Sequence, residues 1–305
     1  MPFAELGGVT LFYTDEGPKG EGHGAGPSGS SHATDDSRQR PGGGSGRSDG
    51  GDEAPLLLVH GWGADSCEWA WHLPSLTASR RVIAADLRGH GHSSVPSDGF
   101  SPRDMAGDLK ALLGKTGAGP VVAIGHSMGA QIVSILAVEH PGLVDALVTI
   151  DPGYGLTGDM AAAIPAIIAS LRQGDTHAAA VRLDKWSYTP ATPPMIRAWH
   201  ARRLLAADRR VLAESFAAMF SGPDQIGLRP ASDAYLARRT CPVLTFWRDP
   251  AQAEWERGLL SHPASEVVTW PGCGHRLHEE RPAEFVLATQ RWLKSLESLE
   301  PEVPR

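Results

Sequence analysis

Short apolar runs alternate with helical patterns over most of this chain. Residues 56–59, 82–85, 121–124, 146–150, 243–246 and 267–270 are apolar with little internal alternation. Such runs are what a parallel strand covered on both faces requires. Between them, residues 101–115 and 128–139 carry helical patterns. The last helix is the clearest: Pro282 suits its first turn, and Phe285, Thr289, Trp292, Leu293 and Leu296 recur at helical spacing. Strand–helix alternation of this kind predicts an α/β fold, a doubly wound and mostly parallel sheet.

The alternation fails twice. From residue 153 to 239 no strand pattern occurs, while Met160, Ile164, Ile167, Ile168 and Leu171 share one helical face. Met195, Trp199, Leu205, Leu212, Phe216 and Met219 form a second, less regular series, with Arg202, Arg203, Arg209 and Arg210 left for its polar side. A helical subdomain over 153–239, inserted into a core formed by 1–152 and 240–305, accounts for this most simply. From residue 17 to 53 the composition turns to Gly, Ser, Asp and Arg, with no large apolar residue between Tyr13 and Leu56. Such a stretch buries too little surface to offset its ordering entropy, so a disordered loop is expected, with His23 and His32 solvated in it.

Composition narrows the function classes. The 305 residues, 41% of them hydrophobic, can form one large domain with a buried core. The net charge of -7 and the absence of a basic run with interleaved aromatics argue against nucleic acid or an anionic membrane as partner. Cys67, Cys241 and Cys273 are scattered and odd in number, which suggests neither a disulfide framework nor a zinc site. No secretory leader and no membrane-spanning run is visible. The expectation is a cytoplasmic protein that acts on a small molecule and holds no metal.

The chemistry centres on Gly125-His126-Ser127-Met128-Gly129. A strand pattern runs into it and a helical pattern leaves it. That is the setting of a nucleophile elbow, where a serine on a sharp turn exposes its Oγ and small neighbours avoid collision. A serine hydroxyl needs a base to take its proton. His275, in Gly272-Cys273-Gly274-His275 beyond the strand ending at Trp270, lies on a loop that can reach over the sheet edge. His278 reads as a loop or capping residue and Cys273 as a small buried one. Acyl transfer also needs donors for the developing oxyanion, each supplying about 3–4 kcal/mol in the transition state. The N–H of Met128, at the helix start, is one; the N–H of Trp62, in His60-Gly61-Trp62-Gly63 after the first apolar run, is the other.

With these motifs, Asp86-Leu87-Arg88-Gly89-His90-Gly91-His92-Ser93, and Glu280-Arg281-Pro282, the chain resembles the α/β-hydrolase superfamily of serine hydrolases with a helical cap. The resemblance covers nearly all of the chain except 17–53. It implies that residues 153–239 are the cap, that cap and sheet enclose the substrate, that His90 and His92 are structural, and that no cofactor is needed. A serine at the elbow also sets the chain apart from relatives that place an aspartate there, such as epoxide hydrolases. The resemblance implies an acid beyond the strand 243–246, and Asp249 is the nearest carboxylate, about two positions early. Asp151, at the end of 146–150, is the alternative; Glu254 ranks third, and a dyad without an acid is conceivable.

Trp186, Tyr188 and Trp199 are candidate pocket residues, beside Trp62. An aromatic lining favours a neutral, apolar ester or lactone cleaved through an acyl-enzyme. Two alternatives stay open: the same triad serving C–C bond hydrolysis or cofactor-free perhydrolysis, and a non-enzymatic binding protein on this scaffold.

Overall fold

The computed structural model of the protein describes residues 2–18 and 53–298. The loop expected over 17–53, with His23 and His32, therefore lies almost wholly outside the described residues. Eight strands form one sheet: β1 (Phe3–Glu5), β2 (Thr10–Glu16), β3 (Leu56–Val59), β4 (Val82–Ala85), β5 (Val121–His126), β6 (Val144–Ile150), β7 (Val243–Trp247) and β8 (Glu266–Thr269). Their order is β1-β2-β4-β3-β5-β6-β7-β8. β1 and β2 run antiparallel to their neighbours, and every other pair is parallel. The six strands β3 to β8, which pair in parallel, are those the apolar runs predict. β1 and β2 are not, because an edge hairpin buries little and leaves a mixed pattern: Leu11 is the only fully buried residue of β2.

The helices, in chain order, are α1 (Leu73–Leu76), α2 (Pro102–Thr116), α3 (Met128–Glu139), α4 (Gly158–Arg172), α5 (Thr176–Asp184), α6 (Pro194–Ala206), α7 (Arg209–Phe220), α8 (Ala231–Leu236), α9 (Pro250–Arg257), α10 (Leu277–Glu280) and α11 (Pro282–Glu297). Successive residues of the central strands feed opposite faces of the sheet. Leu57, Val59, Val121 and Ala123 join Met105, Leu109, Ile132 and Leu136 of α2 and α3 in one buried cluster. Leu56, Leu58, Val122 and Ile124 join Phe285, Trp292 and Leu293 of α11 in the other. This double burial is why the strands read as continuous apolar runs rather than alternating ones.

α4 to α8 all fall between β6 and β7, and residues of α4, α5 and α7 line a cavity together with Gly61, just past β3, and Ser127, just past β5. The indole Nε1 of Trp62, just past β3, donates to the Leu212 carbonyl of α7 at 3.0 Å. Arg276 pairs with Asp184 of α5 at 2.7 Å. Among the described residues, no helix is long and apolar enough to cross a membrane. After β3 the chain crosses to β4 on one side and then to β5 on the other. The crevice at that reversal, beyond the carboxyl ends of β3 and β5, is where open α/β sheets bind ligands.

Candidate active site

Ser127 stands at that crevice, between the end of β5 and the start of α3, at φ 53 and ψ -111. Positive φ is costly for a residue with a side chain and persists where surrounding structure enforces it. The enforcement here is close packing. A Cβ on Gly129 would lie 2.2 Å from the Val59 carbonyl oxygen, and one on Gly125 would lie 2.4 Å from that of Gly129. These neighbours are backbone and have no room to give. Gly129→Ala is accordingly expected to lose about 1–3 kcal/mol of stability, the cost of overpacking a filled site, measured as a fall in the urea unfolding midpoint.

His275 lies on the loop joining β8 to α10. Its N–H donates to the Ser187 carbonyl at 2.7 Å, and its own carbonyl accepts from His126 Nε2 at 3.1 Å. The ring is oriented by Asp151: His275 Nδ1 lies 2.5 Å from Asp151 Oδ2. Because a carboxylate only accepts, the proton sits on Nδ1, and Nε2 keeps its lone pair as a base requires. Ser127, His275 and Asp151 line one cavity.

The carboxylate that meets the histidine is thus Asp151, the alternative, and not Asp249. The register explains this. Ile150 of β6 pairs with Phe246 of β7, and the Asp151 N–H donates to the Phe246 carbonyl at 2.8 Å, so Asp151 turns into the crevice directly at its strand end. It does so at φ 36; it and Ser127 are the non-glycine residues with positive φ among the described residues. β7 continues one residue further to Trp247, and Asp249 becomes the N-cap of α9, accepting from the Ala251 N–H at 2.9 Å. Asp249 is exposed at the cavity rim, and Glu254 pairs with Arg257 on the surface.

Electrostatics of the pair follow from its burial. Desolvation alone would raise the Asp151 carboxyl, but the His275 hydrogen bond, the His275 charge and the neighbouring Arg248 guanidinium outweigh it and hold it below the ordinary range. Burial pushes His275 down to about 4, against the opposing pull of Asp151 and with further lowering from His126 and Arg248. The neutral, proton-accepting ring therefore prevails above about pH 4. kcat/KM for an activated ester is expected to fall only as pH drops through that value, well below the range of a free imidazole, and a pH–rate profile checks it.

The turn that carries Trp62 is built around a buried glutamate that sequence reasoning passed over. Glu68, in the 3₁₀ turn Ser66–Trp69, accepts from the Gly61 N–H at 3.2 Å. Its other oxygen lies 2.7 Å from His126 Nδ1 and 3.2 Å from His278 Nε2. Burial would raise the Glu68 carboxyl, but the two facing histidines hold it well below the ordinary range. One carboxylate thereby ties the turn bearing Trp62 to the residue before Ser127. His278, expected as a loop or capping residue, is a fully buried member of this group. Met128 opens α3, so its N–H is among the helix donors with no intrahelical acceptor. His90 is buried with its ring on the Arg88 carbonyl, and the backbone N–H of exposed His92 donates to Asp86.

The cavity holds about 450 Å³. Its apolar walls come from Trp62 and from the inserted region, notably Leu156 before α4, Ile164 of α4, and Phe216 and Met219 of α7. Of the three aromatic residues expected there, Trp186 lines the mouth and is 72% exposed. Tyr188 and Trp199 do not line it. The Tyr188 hydroxyl is bonded to Asp184, and Trp199 packs edge-on against Trp71 with Arg203 above its ring. Helical periodicity shows that a face is apolar but not which neighbour covers it, so Phe216 and Met219 were legible only as core.

Comparison with known proteins agrees with this fold. Residues 56–289 match the model of the alpha/beta hydrolase family. A 2-hydroxymuconate semialdehyde hydrolase of Pseudomonas sp. (strain CF600) is 30% identical, with 78% of this chain and 86% of that protein covered. A soluble epoxide hydrolase of Corynebacterium sp. (strain C12) is 39% identical over 107 residues, a match spanning 34% of this chain and 37% of that protein's length. The enol-lactonase of Burkholderia xenovorans LB400 superposes with a TM-score of 0.74 at 19% identity, covering 96% of this chain and 100% of that one. On its family match and its sheet, the chain belongs to the α/β-hydrolase family.

Proposed function

We propose that the protein is a serine hydrolase that cleaves an ester or lactone of a small, mostly apolar substrate through an acyl-enzyme. One observation carries this: Ser127 on its strained turn shares a cavity with His275, whose Nδ1 is hydrogen-bonded to Asp151. In this reading His275 Nε2 removes the Ser127 proton as Oγ attacks the carbonyl carbon. The carbonyl electrons move onto oxygen, which the Trp62 and Met128 N–H groups hold. The intermediate collapses, the C–O bond breaks, and the departing alkoxide takes the proton from His275. With a lactone that alcohol stays tethered to the acyl group. A water molecule, deprotonated by His275, then releases the acid and restores Ser127. Asp151 holds the ring in one tautomer and stabilises the imidazolium.

The apolar walls of the cavity and its size, within the range of small-molecule sites, support a compact acyl group. A second reading, C–C bond hydrolysis with the same residues, draws support from the 30% identical relative, named as a 2-hydroxymuconate semialdehyde hydrolase. Para-nitrophenyl esters of graded chain length, a lactone panel and 2-hydroxymuconate semialdehyde, each followed by product analysis, separate the two. Turnover of short esters or lactones is the expected result. Inert esters and lactones beside rapid cleavage of the semialdehyde would transfer the assignment to the second reading.

A further inference from the structure

The loop after β7 contributes to the crevice a guanidinium in place of the expected carboxylate. Arg248 Nε lies 3.0 Å from Asp151 Oδ2, the oxygen that also holds His275 Nδ1. The Arg248 backbone N–H lies 3.4 Å from the other oxygen, Oδ1. From the opposite side, Arg248 Nη1 lies 3.5 Å from the Trp186 carbonyl, which belongs to the inserted helical region. The cation is thus held at both ends, and it lines the same cavity as Ser127.

We propose that Arg248 is a positioning residue that shares Asp151 with His275 and sets how tightly the carboxylate holds the base. The proposal rests on the hydrolase reading above. A carboxylate oxygen with two donors divides its electron density between them, so each hydrogen bond is weaker than it would be alone. The guanidinium is charged throughout the working pH range. It therefore also opposes a second positive charge on the nearby imidazole. The two effects act together: they keep His275 neutral in mildly acid solution and moderate its pull on the Ser127 proton.

Other charges face His275 and have to be held constant. Asp151 meets it from the end of β6, and the His126 ring of β5 packs 4.7 Å away, with Glu68 behind it. Arg276 follows in the same loop and is paired with Asp184 of α5. Asp249 lies at the rim of the cavity. Arg248, whose side chain is 38% exposed, can be changed without opening a buried pair among the others.

The test is the pH dependence of kcat/KM for an activated ester in Arg248→Met, which keeps the stem without the charge, and in Arg248→Lys, which keeps the charge. Arg248→Met is expected to move the acid limb up by about one pH unit, the low end of the effect of a charge at this distance because the group is partly exposed. Arg248→Lys is expected to restore most of that shift. The His275 titration followed by NMR in the Ser127→Ala background gives the same readout without turnover. An unmoved limb in Arg248→Met, or equal movement in the Met and Lys variants, would overturn the role assigned to Arg248. Asp151→Asn serves as the control on the reading beneath it: an inactive Asp151→Asn beside an unmoved Arg248→Met discards only the Arg248 proposal. Normal turnover in Asp151→Asn discards the reading and the proposal together.

Discussion

Ser127→Ala is expected to remove covalent labelling by a fluorophosphonate probe and to lower kcat on activated esters by a factor on the order of 10⁶, the loss seen when a serine nucleophile is deleted. The folded state should survive. Ser127 is nearly buried at 8% exposure. The elbow is held by backbone: the Ser127 N–H donates to the Ile150 carbonyl at 3.0 Å, and its carbonyl accepts from Gly153 at 3.0 Å. Alanine keeps both bonds, though it inherits the positive φ and its strain. Unchanged thermal unfolding with lost labelling is therefore the expected pair of results. Persistent labelling would remove Ser127 from the nucleophile's role and redirect attention to the non-enzymatic alternative.

Asp151→Asn is expected to lower kcat by a factor on the order of 10⁴, as when a triad carboxylate becomes an amide and the histidine adopts the wrong tautomer. The mechanism is specific. An amide nitrogen opposite His275 Nδ1 would favour a lone pair there and a proton on Nε2, so the ring could no longer accept from Ser127. Arg248 would also lose the charged end of a 3.0 Å contact. Asp249→Asn is the paired control. Its side chain caps α9 through the Ala251 N–H, a role asparagine fills equally well, so turnover near that of the unaltered enzyme is expected. A large loss in Asp249→Asn with little loss in Asp151→Asn would reverse the assignment. Steady-state kinetics on one para-nitrophenyl ester settles the comparison.

The two candidate acids differ in how they register in a linear chain. A pattern after a strand names a loop, and a loop's path depends on what its neighbours do. Here Asp249-Pro250 begins a helix, so the side chain is consumed in capping it. Asp151 sits before Pro152 at the end of the adjacent strand, a position that makes it the alternative but does not decide between the two. Its positive φ and its proximity to His275 both arise from the pairing of β6 with β7. Glu68 was invisible for a similar reason. One glutamate before a tryptophan in a short turn reads as a surface residue, yet it is fully buried because His126 and His278 arrive from distant segments to satisfy it.

What the chain determines unaided is whatever depends on local order. The six parallel strands, the elbow serine, the loop of His275 and the turn of Trp62 are all visible because each follows from local pattern or lies within a few residues of a strand end. The register of parallel strands, by contrast, decides which carboxylate points into the crevice. The packing of α4 and α7 over the sheet decides that Phe216 and Met219 line the cavity while Tyr188 and Trp199 do not. Sequence spacing encodes neighbours along the chain, whereas a site is made of neighbours in space. Here Ser127 belongs to the first kind, and the meeting of Asp151 with His275, the burial of Glu68 and the pocket wall belong to the second.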